Sequence, residues 1–69
     1  MINNNLTPEE IQLNISAAFD SVELINNSTT TQEIIDINIE HLIVMMSKQW
    51  FVDALTKIQK STIIKITNK

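Results

Sequence analysis

The stretch TTQEIIDINIEHLIVMMSKQWF, residues 30–51, decides the fold because its apolar residues recur at helical spacing. One set is separated by 4, 3, 4 and 4 residues, which places it along a single face of an α-helix. Its members are Ile35, Ile39, Leu42, Met46 and Trp50. Thr30 and Glu33 have the spacing of a capping box, in which Thr30 begins the helix. The pattern predicts a helix over residues 30–49.

Two further capping boxes predict two further helix starts. Thr7 precedes a proline at the first helical position and stands three residues before Glu10, and Thr56 stands three residues before Gln59. The first of these helices has its own apolar stripe of Ile11, Ile15, Ala18, Val22 and Ile25. The boundaries are therefore about 7–26 and 56–67. Between the first two helices, NNST at 26–29 is a turn in which Asn26 or Asn27 can adopt the left-handed conformation.

The last segment is ambiguous, because STIIKIT at 61–67 is rich in β-branched residues and is compatible with a strand. The cap at Thr56 favours a helix, and a lone strand has nothing in its own chain to pair with. A helix would place these residues on one face: Leu55, Ile58, Thr62 and Ile66. We therefore predict one all-α domain over residues 1–69, an antiparallel helical hairpin plus a short third C-terminal helix.

Composition excludes several classes of function. Without cysteine the chain has neither disulfides nor thiolate metal sites, and its one histidine cannot build a zinc site unaided. Without glycine it lacks P-loops and dinucleotide-binding turns. Its longest apolar run, residues 42–46, is far shorter than the roughly 20 residues of a membrane span. The stretch MINNNLTPEE, residues 1–10, lacks the cationic start and the apolar segment that a signal peptide needs. His41 has no visible catalytic partner, and Asn38 could hydrogen-bond its ring as a structural histidine. We predict a soluble intracellular protein that is not an enzyme and has no cofactor.

The second helix carries more apolar surface than one hairpin needs. A second stripe contains Ile34, Ile37, Val44 and Met45, with His41 at its edge, and helix 1 has a weaker one at Leu13, Ala17 and Leu24. The third helix could cover the stripe on helix 2, or another chain could bind it. Trp50 is expected to plug the end of the hairpin, which leaves Phe51 more exposed. The predicted partner-binding residues are Ile34, Ile37, His41, Val44, Met45 and Phe51.

Charge is divided between the two ends of the chain. Residues 1–47 have a formal charge of −7 and residues 48–69 one of +4, which together give −3. A basic third helix lying on an acidic hairpin would account for this division, as would a head-to-tail contact between copies. The net charge and the lack of arginine argue against nucleic-acid binding. An alternative remains, a nucleic-acid-linked regulator that uses Lys57, Lys60 and Lys65 or imitates DNA with its acids.

The segment NIEHLIVMMSKQWF, residues 38–51, resembles one found in small uncharacterised proteins of tailed bacteriophages. Their recurring pattern is matched here by Asn38, His41, Leu42, Met45, Lys48, Trp50 and Phe51. Ile43 departs from it, because lysine is common there, and so does the β-branched, basic last helix. The resemblance implies a phage origin and an all-helical fold, and it implies no known activity. We therefore expect a non-enzymatic phage accessory protein that acts by protein–protein contact, self-associates, and resides in the host cytoplasm or the virion.

Overall fold

The computed structural model describes residues 6–68, which form four α-helices joined by short loops. Their bounds are α1 Pro8–Asn26, α2 Gln32–Met46, α3 Gln49–Ala54 and α4 Lys57–Thr67. The predicted all-α fold is confirmed. Residues 61–67, whose composition is compatible with a strand, belong to α4.

Two of the three predicted capping boxes form. At the start of α1 the Thr7 hydroxyl accepts from the Glu10 amide at 3.1 Å, and the Glu10 carboxylate accepts from the Thr7 amide at 2.9 Å. At the start of α4 the same two bonds join Thr56 and Gln59, at 3.1 and 2.9 Å. Each box satisfies two amides at a helix start, where amides lack carbonyl partners in the preceding turn.

The third box, at α2, is absent because the helix starts one residue later than predicted. Thr31 is the N-cap and its side chain makes no capping hydrogen bond, so Glu33 is one position too early to reach back. The preceding turn accounts for the shift. The Asn27 side-chain oxygen accepts from the amide and the hydroxyl of Thr29, at 2.9 and 2.7 Å, which is an Asx turn. Asn27 has a φ of −84°, and no residue described by the structure has a positive φ, so the expectation of a left-handed Asn26 or Asn27 is wrong.

The predicted extension of α2 to residue 49 is also wrong. The helix ends at Met46, where the Ser47 hydroxyl donates to the Val44 carbonyl at 2.6 Å and the Lys48 amide to the Met45 carbonyl at 3.0 Å. These bonds reach back three residues instead of four and tighten the last turn. A separate short helix, α3, then begins with Lys48 as its N-cap.

The helices enclose one hydrophobic core. α1 packs antiparallel along α2, α3 closes against both, and α4 packs on α2. The buried apolar side chains come from all four helices and the loop before α4. They are Ile15, Ala18, Val22, Leu42, Met45, Phe51, Leu55 and Ile63. The predicted hairpin with a further C-terminal helix is therefore present, with α3 as the element that the sequence did not predict.

Candidate protein-contact site

Four residues form a stripe along α2 on the side that other helices leave uncovered, which we name the outer α2 face: Ile34, Ile37, His41 and Val44. They are separated by 3, 4 and 3 residues, the spacing that forms the packing seam between two helices. At 100° per residue they span an arc of about 80°. Ile37 is 61% exposed, Val44 54% and Ile34 44%, and His41 is also exposed.

Acidic residues border this stripe on the side away from the core. Glu33 and Glu40 are both exposed, and α2 contains no lysine or arginine. Asp36 lies farther round the helix, where its carboxylate accepts from the Gln32 side chain at 2.8 Å. The outer α2 face is thus an apolar stripe with an acidic margin.

α4 does not cover the stripe, although it packs on α2. Of the apolar residues predicted for the second stripe, only Met45 is buried, with an exposure of 5%. Its position explains this, because it lies about 20° beyond Ile34 in the direction of the fully buried Leu42. Met45 therefore belongs to the core, and the prediction that it contacts a partner is wrong.

The expectation that Phe51 is more exposed than Trp50 is wrong, although Trp50 does pack against the core. Phe51 is completely buried, while Trp50 is only half-buried and meets the Phe51 ring edge-to-face at 6.1 Å between centroids and 87° between planes. The early end of α2 is the physical reason, because α3 starts with a new helical phase that turns Phe51 inward. Phe51 is therefore unavailable to a partner. The other predicted contact residues, Ile34, Ile37, His41 and Val44, are exposed together.

His41 stands free of the hydrogen bond expected from Asn38. The Asn38 side-chain amide donates instead to the Ile34 carbonyl one turn earlier, at 2.8 Å. The imidazole is exposed in the middle of the outer α2 face, between Ile37 and Val44 in sequence. His41 is thus a polar residue within an otherwise apolar stripe.

α4 presents a second surface, which sequence reasoning missed. Ile58, which the sequence places on one face with Leu55 and Ile66, is 79% exposed, and the buried residue of α4 is Ile63. The spacing of Leu55, Gln59, Ile63 and Ile66 by 4, 4 and 3 residues was the signal that could have identified the correct side. The residues on the solvent side, which we name the outer α4 face, are Lys57, Ile58, Ser61, Ile64 and Lys65.

The packing of a basic C-terminal helix on an acidic hairpin accounts for the division of charge only in part. α4 lies on α2, yet Lys57 and Lys65 are on the side of α4 that faces solvent. The carboxylates that accept hydrogen bonds among residues 6–68 take them from neutral groups nearby in sequence, namely Glu10 from Thr7, Asp36 from Gln32 and Asp53 from Gln49. The basic outer α4 face and the acidic margin of α2 are both left open to solvent.

Leu13 and Leu24 are exposed on the outer side of α1, as their separate stripe predicts.

Within residues 6–68, no helix is both long and apolar enough to cross a membrane. No cluster of three or more potential metal ligands occurs in that same part of the chain. No family model, curated protein or solved structure matches the chain.

Proposed function

We propose that this is a non-enzymatic phage accessory protein that acts by protein–protein contact through the outer α2 face and associates with itself. The observation that carries the proposal is the exposure of Ile34, Ile37 and Val44 in one line with His41. The protein would act in the host cytoplasm or the virion, by binding a virion protein, a host factor or another copy.

The physical reason is the hydration of this stripe. Fully burying an isoleucine or valine side chain stabilises the buried state by about 1.5–3 kcal/mol relative to leaving it exposed. Three such residues, each about half exposed, leave a substantial part of that stabilisation to a contact with another molecule. The acidic margin suits this arrangement, because interfaces combine an apolar centre with a polar rim.

The phage part of the proposal rests on the resemblance over residues 38–51. The residues that carry this resemblance lie in different environments. Leu42, Met45 and Phe51 are buried, and the Asn38 side chain donates a hydrogen bond to the backbone of its own helix. His41 is the member of the pattern on the outer α2 face. The pattern therefore combines the residues that shape the α2–α3 corner with one that a partner could contact.

Affinity purification from infected cells tests the proposal. The bait carrying Ile37→Asp and Val44→Asp should lose the partner that the wild-type bait retains, because a partner would have to bury two carboxylates. The matched control carries Leu13→Asp and Leu24→Asp, two exposed aliphatic residues on α1 whose exposure, 69% and 43%, averages close to that of Ile37 and Val44. Circular dichroism establishes that each bait is helical. Retention of the partner by the α2 variant, or its loss from the α1 variant alone, would contradict the proposal.

The two locations are separated by mass spectrometry of purified phage particles. A virion component is present in stoichiometric amounts in the particle. A protein that binds a host factor early in infection is absent from the particle and co-purifies with that factor.

A nucleic-acid-linked regulator is the second candidate, favoured by the exposure of Lys57 and Lys65 on one side of α4. Lysines that neutralise phosphates give binding that weakens as salt rises. Titration with duplex DNA at low salt, comparing wild type with Lys57→Ala/Lys65→Ala, tests this candidate. Binding that is strong at low salt and lost in the variant would support it, and no binding at low salt would remove this lysine-dependent version.

A further inference from the structure

We infer that the partner of the outer α2 face is the outer α4 face of a second copy of this chain. This inference rests on the proposed function and names the partner surface within it. One copy would contribute an apolar stripe with an acidic margin, and the other an apolar surface that carries lysines.

A contact between two copies of α2 is disfavoured by charge. Glu33, Asp36 and Glu40 give this helix three carboxylates, and no lysine or arginine lies between residues 32 and 46. Two such helices packed along their outer faces would bring like charges together without a cation to compensate them. The occupant of this face should therefore carry positive charge beside its apolar residues.

The outer α4 face has that chemistry. α4 contains no acidic residue, and its exposed side combines Ile58 and Ile64 with Lys57 and Lys65. Ile58 is the most exposed of the large apolar side chains that the structure describes, at 79%. A contact with another apolar surface would remove this isoleucine from water, which is favourable.

The dimensions of the two surfaces also match. At 1.5 Å per residue, Lys57 and Lys65 are about 12 Å apart along α4, and Glu33 and Glu40 are about 10 Å apart along α2. The apolar pairs are similarly spaced, with about 9 Å from Ile58 to Ile64 and about 10 Å from Ile37 to Val44. Along their 15 and 11 residues, α2 and α4 therefore present charged sets of similar length and apolar sets of similar length.

The contact cannot form within one chain. α4 packs on the α2 of its own chain through the side that carries the buried Ile63, so its lysine-bearing side faces away. Each copy thus offers one acidic and one basic surface, and a contact between unlike surfaces joins copies either reciprocally in a pair or head-to-tail in a larger assembly. A core as small as that of a 69-residue chain gains stability from either arrangement.

Charge reversal on each surface tests the inference by light scattering after size-exclusion chromatography. The acid-reversed variant carries Glu33→Lys and Glu40→Lys, and the lysine-reversed variant carries Lys57→Glu and Lys65→Glu. Each variant alone should elute with the mass of one chain, because it opposes like charges across the contact. An equimolar mixture should recover the assembled mass, since each contact between the two variants again joins opposite charges.

The control variant carries Asp20→Lys and Glu23→Lys, two exposed acids on α1 whose reversal changes net charge by the same amount as in the acid-reversed variant. It should assemble like the wild type, and circular dichroism should show every variant to be helical. A lysine-reversed variant that assembles normally would overturn the inference, because α4 would then lie outside the contact. A mixture that stays monomeric would also overturn it.

A wild-type protein that remains a single chain at high micromolar concentration would overturn the second copy as partner. The proposed protein–protein contact through the outer α2 face would stand in that case, without the self-association, if the affinity purification still showed a partner lost with Ile37→Asp/Val44→Asp. It would fall if the α2 variant retained that partner. The two experiments therefore fail independently.

Discussion

Phe51 has the largest completely buried side chain among residues 6–68, and its ring lies edge-to-face against that of Trp50. Replacing it with alanine should lower the free energy of unfolding by about 3–5 kcal/mol, because it removes packed apolar volume and leaves a cavity. A core of this size supplies about the same amount in total. The Phe51→Ala variant should therefore be largely unfolded at 25 °C by circular dichroism.

The matched substitution at an exposed position is Leu13→Ala, which should change the free energy of unfolding by less than about 0.5 kcal/mol. The side chain of Leu13 is mostly in solvent and lies outside the outer α2 and outer α4 faces, so its removal leaves no cavity. Equal urea midpoints for Phe51→Ala and wild type would show that Phe51 is not in the core.

The burial of single residues was predictable from the sequence where a helix has an uninterrupted apolar period. Ile15 and Val22 in α1 and Leu42 in α2 follow from that period and are buried. Phe51 and Trp50 could not be assigned in the same way, because their orientation depends on a break in the helix after Met46. That break is made by backbone and hydroxyl hydrogen bonds at Ser47 and Lys48, which leave no apolar pattern in the sequence.

At the scale of the helix, α1, α2 and α4 each have a threonine as N-cap, and its side chain makes a capping hydrogen bond in α1 and α4 but not in α2. The three threonines therefore provide a matched set of substitutions. Thr7→Ala and Thr56→Ala should each lower the free energy of unfolding by about 1 kcal/mol, because each removes a hydroxyl that accepts from a helix amide. Thr31→Ala should cost clearly less, because the Thr31 side chain makes no capping hydrogen bond. Urea denaturation of the three variants measures this order, and a cost for Thr31→Ala as large as for the other two would contradict the description of the α2 start.

The short helix α3 begins at a poorly capped position, which predicts a stabilising substitution. Lys48 is its N-cap, and lysine has no side-chain oxygen to accept from the first amides. Lys48→Ser should raise the free energy of unfolding by about 0.5–1 kcal/mol, measured as an increase in thermal midpoint. If α2 instead ran on to residue 49, position 48 would lie in its last turn, and loss of the lysine would weaken the helix dipole interaction and lower the midpoint.

On the scale of the whole molecule, the number and order of the long helices were predictable, and the direction in which α4 presents its charge was not. Capping boxes determine where α1 and α4 start, and apolar periods indicate that α1 and α2 pack against each other. The orientation of α4 depends on the choice between Ile58 and Ile63 as its buried residue, and a short helix rich in isoleucine offers both. That choice places Lys57 and Lys65 in solvent and so determines which surfaces two copies can bring together.

The outer α2 face was predictable in part for a related reason. The sequence of α2 has a second set of residues in addition to its main apolar stripe, and these residues are exposed: Ile34, Ile37, His41 and Val44. Met45 lies at the boundary between the two stripes, where a rotation of about 20° decides between core and surface. The packing of the other helices settles that boundary, which periodicity in one helix alone cannot do.

Methyl proton–carbon NMR spectra of isoleucine- and valine-labelled protein, recorded over a dilution series, test most directly that the outer α2 face is a contact between copies. The account predicts concentration-dependent shifts for the methyls of Ile34, Ile37 and Val44, accompanied by those of Ile58 and Ile64 on α4. The methyls of the buried Ile15 and Ile63 should stay constant and serve as internal controls. Spectra in which the three α2 methyls do not move while the protein assembles would contradict it.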